Sequence, residues 1–157
     1  MPATHPYTTF HLAGLLFGLP AAGVLELTRH RELTRVPLAP AMIEGLLNLR
    51  GQLVTAIDLR RRLALPPRPA GTLPMNVVLL TADGPVSLIV DDIGEVIELD
   101  AETFEPPPES VRGVAREVIV GVCKLPDRLL LILDATKVVT LTSLTAAPQP
   151  NPATVLP

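Results

Sequence analysis

Apolar residues in this chain come in short runs, and few stretches read as long helices. Thr8–Leu12 and Leu15–Leu19 read as strands around the turn-prone pair Ala13-Gly14. Val24–Leu27 continues as an extended piece or a single turn, and Leu33–Val36 as a further short strand, broken by Pro37 and Pro40. Pro40 suits the first turn of a helix, and Ile43, Leu46 and Leu47 share one side of a helix over 41–49. Gly51 then allows a sharp turn into the strand Gln52–Asp58, which is apolar on both faces as expected of a doubly buried strand. The Asp58 carboxylate can cap the turn that follows it. Pro66, Pro67, Pro69 and Gly71 make a linker-like break.

The second half has the same texture. Val77–Thr81 and Val86–Val90 flank a hairpin turn at Ala82–Pro85. Val96–Leu99, Val118–Val122 and Arg128–Leu133 follow as strands, with an exposed proline loop over Glu105–Glu109 and a last turn or strand over Lys137–Leu141. Pro, Ala and Thr predominate over residues 142–157, which read as a disordered tail.

Comparing the halves is more informative than any single element. Gly45–Asp58 aligns without gaps on Gly121–Asp134; Gly45/Gly121, Leu49/Leu125, Leu53/Leu129 and Asp58/Asp134 coincide. Val24–Leu27 likewise matches Val96–Leu99. Hairpin, Val-x-Glu-Leu piece and Gly-to-Asp unit therefore occur twice in the same order, which points to two similar small β-barrels packed side by side. The first would span roughly residues 7–66 and the second 75–141, with strands free to exchange between the halves.

Composition narrows the classes of function. The chain has 157 residues, 48% of them apolar and 18% charged, enough to fold as one domain or two very small ones sharing a core. Aromatics are 3% with no Trp, so little is left for base stacking or an aromatic-lined pocket, and the net charge of −3 argues against general nucleic-acid binding. Charge is uneven: residues 1–70 hold eight Arg and four acids (+4), residues 71–157 five bases and twelve acids (−7). That asymmetry suits two different partners, head-to-tail contact between copies, or simply a solvated surface.

The first 25 residues carry no Asp, Glu, Lys or Arg, and Leu12–Leu19 followed by Pro20–Gly23 has some look of a secretory leader. It lacks a basic start, and cleavage after Ala22 would remove the first hairpin of the repeat, so a cytoplasmic chain is expected. No apolar run reaches the roughly 18 residues that span a bilayer.

Catalytic chemistry is hard to find. There is no phosphate-binding glycine loop and no nucleophile elbow. His5 (in a loose terminus), His11 (in a strand) and His30 show no metal-ligand spacing, and the lone Cys123 reads as a small core hydrophobe. Asp91 and Asp92 are neighbours on an extended segment, so they point apart and make a poor acid–base pair. Arg60, Arg61 and Arg62 read as the exposed face of a short helix. Neither a cofactor nor an enzymatic activity is expected. The residue that stands out is Arg50, at the tight junction before Gly51.

Asn48-Leu49-Arg50-Gly51, followed by Asp58-Leu59-Arg60 at the end of the next strand, resembles the signature of the CheW family of bacterial chemosensory coupling proteins. Leu88–Val96 and Gly121–Asp134 resemble two further blocks of that family, in the right order, so the likeness spans about Tyr7 to Leu141. Thr55 stands where the family's central strand proline is expected and Ser87 where glycine is common; Leu19–Gly23 is unusually small and apolar. The resemblance implies a mainly β fold of two packed five-stranded SH3-like barrels with a shared apolar core and one or two short helices. It implies a non-enzymatic adaptor joining the cytoplasmic tip of chemoreceptors to a CheA-like histidine kinase through the kinase's regulatory domain, at arrays beneath the inner membrane. Residue by residue, Glu26 falls on the family's Glu, Val24 on its apolar neighbour, and Asn48, Arg50 and Gly51 on the motif, all bordering the groove that takes the receptor tip. A guanidinium held at that junction could instead serve the fold by tying Glu26 or backbone carbonyls. Other readings are a coupling paralogue for a non-flagellar pathway such as a type IV pilus, a fragment of the kinase's regulatory domain (disfavoured, as no kinase or phosphotransfer segment is seen), or a small-molecule-binding double barrel.

Overall fold

Short strands with one apolar face cannot bury it alone, and in the computed structural model they pair into two five-stranded sheets. Residues 3–29 and 31–140 are described; the expected tail over 142–157 lies outside them. The strands are β1 (His5–Leu12), β2 (Leu15–Pro20), β3 (Val24–Arg29), β4 (Ile43–Leu49), β5 (Gln52–Asp58), β6 (Met75–Thr81), β7 (Gly84–Val90), β8 (Asp92–Leu99), β9 (Ile119–Lys124) and β10 (Leu129–Leu133). Among the described residues there are also three short α-helices, α1 (Leu59–Arg62), α2 (Val114–Val118) and α3 (Ala135–Val139), and single 3-10 turns at Ala21–Gly23 and Ala101–Thr103. Among the described residues no helix is long and apolar enough to cross a membrane.

One sheet runs β8-β1-β2-β10-β9 and the other β3-β6-β7-β5-β4. These orders are the same pattern: an outer strand, a hairpin, then a second hairpin joined to the first by a parallel pair, β2·β10 in one and β7·β5 in the other. The strands exchange between the halves on either side of residues 66–75. The amino-terminal hairpin β1–β2 joins the carboxy-terminal strands, while β3 to β7 form the other barrel from one continuous segment.

The sequence repeat is a structural repeat. The Asp58 amide donates to Met42 O at 2.7 Å and the Asp134 amide to Val118 O at 2.8 Å, at matching positions. Each aspartate then caps the next helix, accepting from Arg60 N and Lys137 N respectively. The matched glycines have a common cause. Each barrel is closed by an isolated bridge, Thr34 to Leu46 and Glu105 to Val122. A Cβ on Gly45 would stand 2.6 Å from Thr34 O, so that crossing needs the bare backbone, and one on Gly121 would stand 3.0 Å from Phe104 Cβ, a tight fit at the matching crossing.

The helix expected over 41–49 is instead β4. Gly45, Leu47 and Leu49 are buried while Asn48 is exposed, a period of two. Ile43, Leu46 and Leu47 fit either period in so short a window, and the pairing with β5 decides it. Leu33–Val36 contributes only the Thr34 bridge, His5 begins β1 rather than lying loose, and the last turn is α3.

The core has three parts. Leu47, Leu49, Val54 and Val78 fill one barrel. Tyr7, Leu16, Leu99, Cys123, Leu130 and Ile132 fill the other. A larger cluster, including Phe10, Phe17, Leu59, Val77, Leu88, Val118 and Leu133, draws on both sheets and is the shared core.

Arg60 and Arg62, expected on an exposed helix face, are buried; only Arg61 is exposed. Arg60 grips Asp91 with two bonds, Nε to Oδ1 at 2.9 Å and Nη2 to Oδ2 at 2.5 Å, and its Nη1 donates to Pro66 O and Pro67 O. Asp91 also accepts from the Ala13 amide at 2.9 Å, and its own amide donates to His11 O. Arg62 donates to the carbonyls of Lys137 and Val138 at the end of α3. A four-residue helix is too short to persist alone, so these side chains hold α1 as much as α1 presents them.

Burial opposes ionisation of Asp91, but the Arg60 hydrogen bonds, the Ala13 amide and the charges of Arg60 and Arg68 outweigh it and leave its pKa below the usual carboxylate value. A lowered folded-state pKa contributes stability that is present above the unfolded value of about 3.9 and is lost as pH falls through the folded value. Asp91→Asn should therefore cost about 3 kcal/mol at neutral pH, as expected for breaking a mostly buried pair. Urea unfolding of both proteins should show the same gap at pH 7 and pH 5 and a narrowing gap below about pH 4.

Candidate functional site

Leu49 pairs with Gln52, so Arg50 and Gly51 are the two central residues of a hairpin turn rather than a helix–strand junction. Their φ values, +53° and +84°, are those of a type I′ turn, whose twist matches the flanking strands. Gly51 takes that conformation freely, whereas an L side chain at Arg50 costs about 1–2 kcal/mol. The same turn occurs between β1 and β2 with Ala13 (φ +50°) and Gly14 (φ +81°). Ala13 performs the backbone task with a methyl group, so the turn itself does not call for a guanidinium.

The structure brings four of the five expected site residues together. Asn48 Oδ1 accepts the Gly51 amide at 2.9 Å and pins the turn. Arg50 Nη2 donates to Glu26 Oε1 at 2.6 Å, reaching from the β4–β5 turn to β3 across the barrel opening. Val24 lies two residues before Glu26 on β3, packed against the shared core rather than against the ion pair. The side chain of Glu26 is 17% exposed and that of Arg50 79%, so the pair presents a guanidinium to solvent from a largely covered carboxylate. Such a pair contributes about 0.2–1 kcal/mol to folding, because water screens it. It orients Arg50 more than it holds the barrel.

Exposed apolar side chains occur on the same two elements, those of β3 on the face opposite Glu26. Leu25 and Leu27 point outward on β3, and Leu53, directly after the turn, is 65% exposed. Leu53 opens onto a groove of about 600 Å³ that is also lined by Thr55, Leu80, Val86, Thr136 and Val139. Because α3 follows β10 while the other lining residues lie on β5 to β7, the groove runs between the two barrels. Leu25, Leu27 and Leu53 are absent from the sequence-based site. Leu53 was counted as half of a doubly buried strand, although its polar neighbour Gln52 marks the strand's exposed end.

The remaining candidate chemistry is structural. Cys123 is buried in its barrel, and burial pushes its thiol pKa up, away from that of a nucleophile. Asp91 is committed to Arg60, while Asp92 is exposed and bonds the Ile93 amide. Among the described residues no group of His, Cys, Asp and Glu is placed to hold a metal ion.

Comparison with known proteins places this architecture. A model of the CheW-like domain family matches residues 6–143. This chain belongs to the CheW-like family. The chemotaxis protein CheW of Treponema pallidum is 32% identical over 136 residues, covering 82% of this chain and 78% of that protein. CheW of Bacillus subtilis is 32% identical over 129 residues, covering 82% and 83%. The crystal structure of the scaffolding protein TtCheW from Thermoanaerobacter tengcongensis superimposes with a TM-score of 0.75 at 31% identity, over 85% of this chain and 90% of that one. The CheW-like chain is thus a chemotaxis scaffold in type, in keeping with a surface of orienting contacts and exposed apolar side chains.

If Arg50 is displayed rather than needed, Arg50→Gly should leave stability within about 1 kcal/mol of the unchanged protein. Relief of the positive φ offsets loss of an exposed ion pair. Urea denaturation checks this; a loss above about 2 kcal/mol would make Arg50 a fold residue.

Proposed function

We propose that this chain is a non-enzymatic chemosensory adaptor that couples chemoreceptor signalling tips to a CheA-like histidine kinase through the kinase's regulatory domain. On this reading it works in the cytoplasm, at receptor arrays beneath the inner membrane. Val24, Glu26, Asn48, Arg50 and Gly51 are read as the protein-binding set. The observation that supports the reading is the Arg50–Glu26 pair at the β4–β5 turn, from which Gln52 and Leu53 lead into the interbarrel groove. A guanidinium fixed in direction can donate to a carboxylate or carbonyl of an incoming helix. The exposed Leu25, Leu27 and Leu53 supply apolar contact for the helix's other face. No covalent step is involved, and no cofactor is required.

A second reading within the family is a coupling paralogue serving a non-flagellar pathway such as a type IV pilus. Thr55 favours it: this residue stands where the family proline is expected, and it lines the groove itself. The change alters what the groove recognises without disturbing the strand, since β5 keeps its parallel pairing with β7 through Thr55 and Val86.

The test is separate capture of a receptor signalling tip and of a kinase regulatory domain by the purified chain. Both should bind. Arg50→Glu places a carboxylate beside Glu26 and should weaken at least one of the two by tenfold or more, about 1.4 kcal/mol, with folding retained. Binding of neither partner by the unchanged protein would refute the adaptor reading.

A further inference from the structure

Arg68 lies in the segment between α1 and β6, away from the Arg50 turn, and its guanidinium is incompletely satisfied. Its Nε and Nη2 atoms are buried and make no hydrogen bond to the protein. The nearest carboxylate oxygen, Asp91 Oδ1, is 3.9 Å from Nε. Asp91 Oδ2 is taken by Arg60 and the Ala13 amide, while Oδ1 accepts only from Arg60 Nε and at 3.9 Å lies beyond hydrogen-bond reach of Arg68. A buried charged donor left in this way costs free energy unless something supplies lone pairs and negative charge.

Space for such a group exists on both sides. One cavity of about 210 Å³ is lined by Arg31, Glu44, Arg68, Thr72 and Asn76, among others. A second, of about 270 Å³, is lined by Arg60, Arg68, Pro69, Thr72 and Asp91. The neutral donors nearby are occupied: Thr72 Oγ1 donates to Pro69 O and Asn76 Nδ2 to Arg29 O. With Arg60 and Asp91 cancelling, Arg31 and Arg68 face a single carboxylate, Glu44, so the site keeps about one positive charge.

We propose that Arg68, with Arg31, forms a binding site for a small oxyanion, phosphate or a carboxylate of similar size, beside the Arg60–Asp91 pair. The volumes admit an ion of that size and leave no room for a nucleotide in either cavity alone. An anion there balances the positive charge of Arg31 and Arg68 and ties the 66–74 segment to the barrel. The site does not depend on the adaptor reading.

Thermal unfolding of the intact chain tests it, with inorganic phosphate or acetate titrated at constant ionic strength against a chloride reference. The expected result is a saturable rise in Tm of about 4 °C at tenfold excess over Kd, abolished in Arg68→Gln. A response to phosphate alone identifies a tetrahedral ion, and a response to acetate as well identifies a general carboxylate site. No response beyond chloride, or an equal response in Arg68→Gln, would overturn the proposal. Amide shifts in the unchanged protein decide the matter even if the variant fails to fold. Phosphate or acetate should move the Thr72, Leu73 and Asn76 signals, and shifts confined elsewhere would contradict the site.

Discussion

One carboxylate connects three segments of this protein. Asp91 sits where the chain leaves β7 of one barrel for β8 of the other, and it holds Arg60 of α1 and the turn of the β1–β2 hairpin at once. Buried ion pairs often fail to repay their desolvation. This one is bidentate, with a backbone amide on the same carboxylate and two carbonyls on the same guanidinium, so nearly every polar site is met. The apolar shared core supplies the attraction between barrels without direction. Asp91, with Arg62 reaching from α1 to α3, supplies the direction.

The two halves repeat the same five-strand plan, and the proposed partner contact falls where they differ. The scaffold positions agree: Gly45 and Gly121 at the crossings, Asp58 and Asp134 at the caps, Leu47 and Cys123 in the two barrel cores. The turns differ. Leu125 bonds Arg128 across Pro126 and Asp127, with neither turn residue at positive φ. The matching turn has Arg50 at positive φ, reaching to Glu26. A side chain held in a costly backbone conformation, where alanine serves elsewhere, is what the proposed partner contact would account for. Holding it in advance also reduces the ordering cost of association, which suits a scaffold.

Much of this was legible in the residues. The ungapped match of Gly45–Asp58 with Gly121–Asp134 was enough to expect two like barrels, because turn, strand and cap each leave a local mark. An exchange of strands between the halves was allowed for, but not which hairpin exchanges, since short-range periodicity carries no information on which sheet a hairpin joins. The helix expected over 41–49 failed for a related reason: a seven-residue strand is shorter than the window that separates periods of 2 and 3.6. Arg60 and Arg62 looked like a solvated face because three adjacent arginines usually are one. Their partners, Asp91 and the α3 carbonyls, lie about thirty and seventy-five residues away, a pairing visible only once the chain is folded. In the site, the motif marked Arg50 and Asn48, while the exposed Leu25, Leu27 and Leu53 were indistinguishable from core leucines.

The most direct measurement is amide hydrogen exchange across the intact chain, with and without a saturating receptor signalling tip. A docked helix at the Arg50 turn should slow exchange over 24–27 and 48–53, leaving the outer strands β8 and β9 of the other barrel unchanged. Protection confined to β8 and β9, with no change at 48–53, would contradict this assignment of the partner surface.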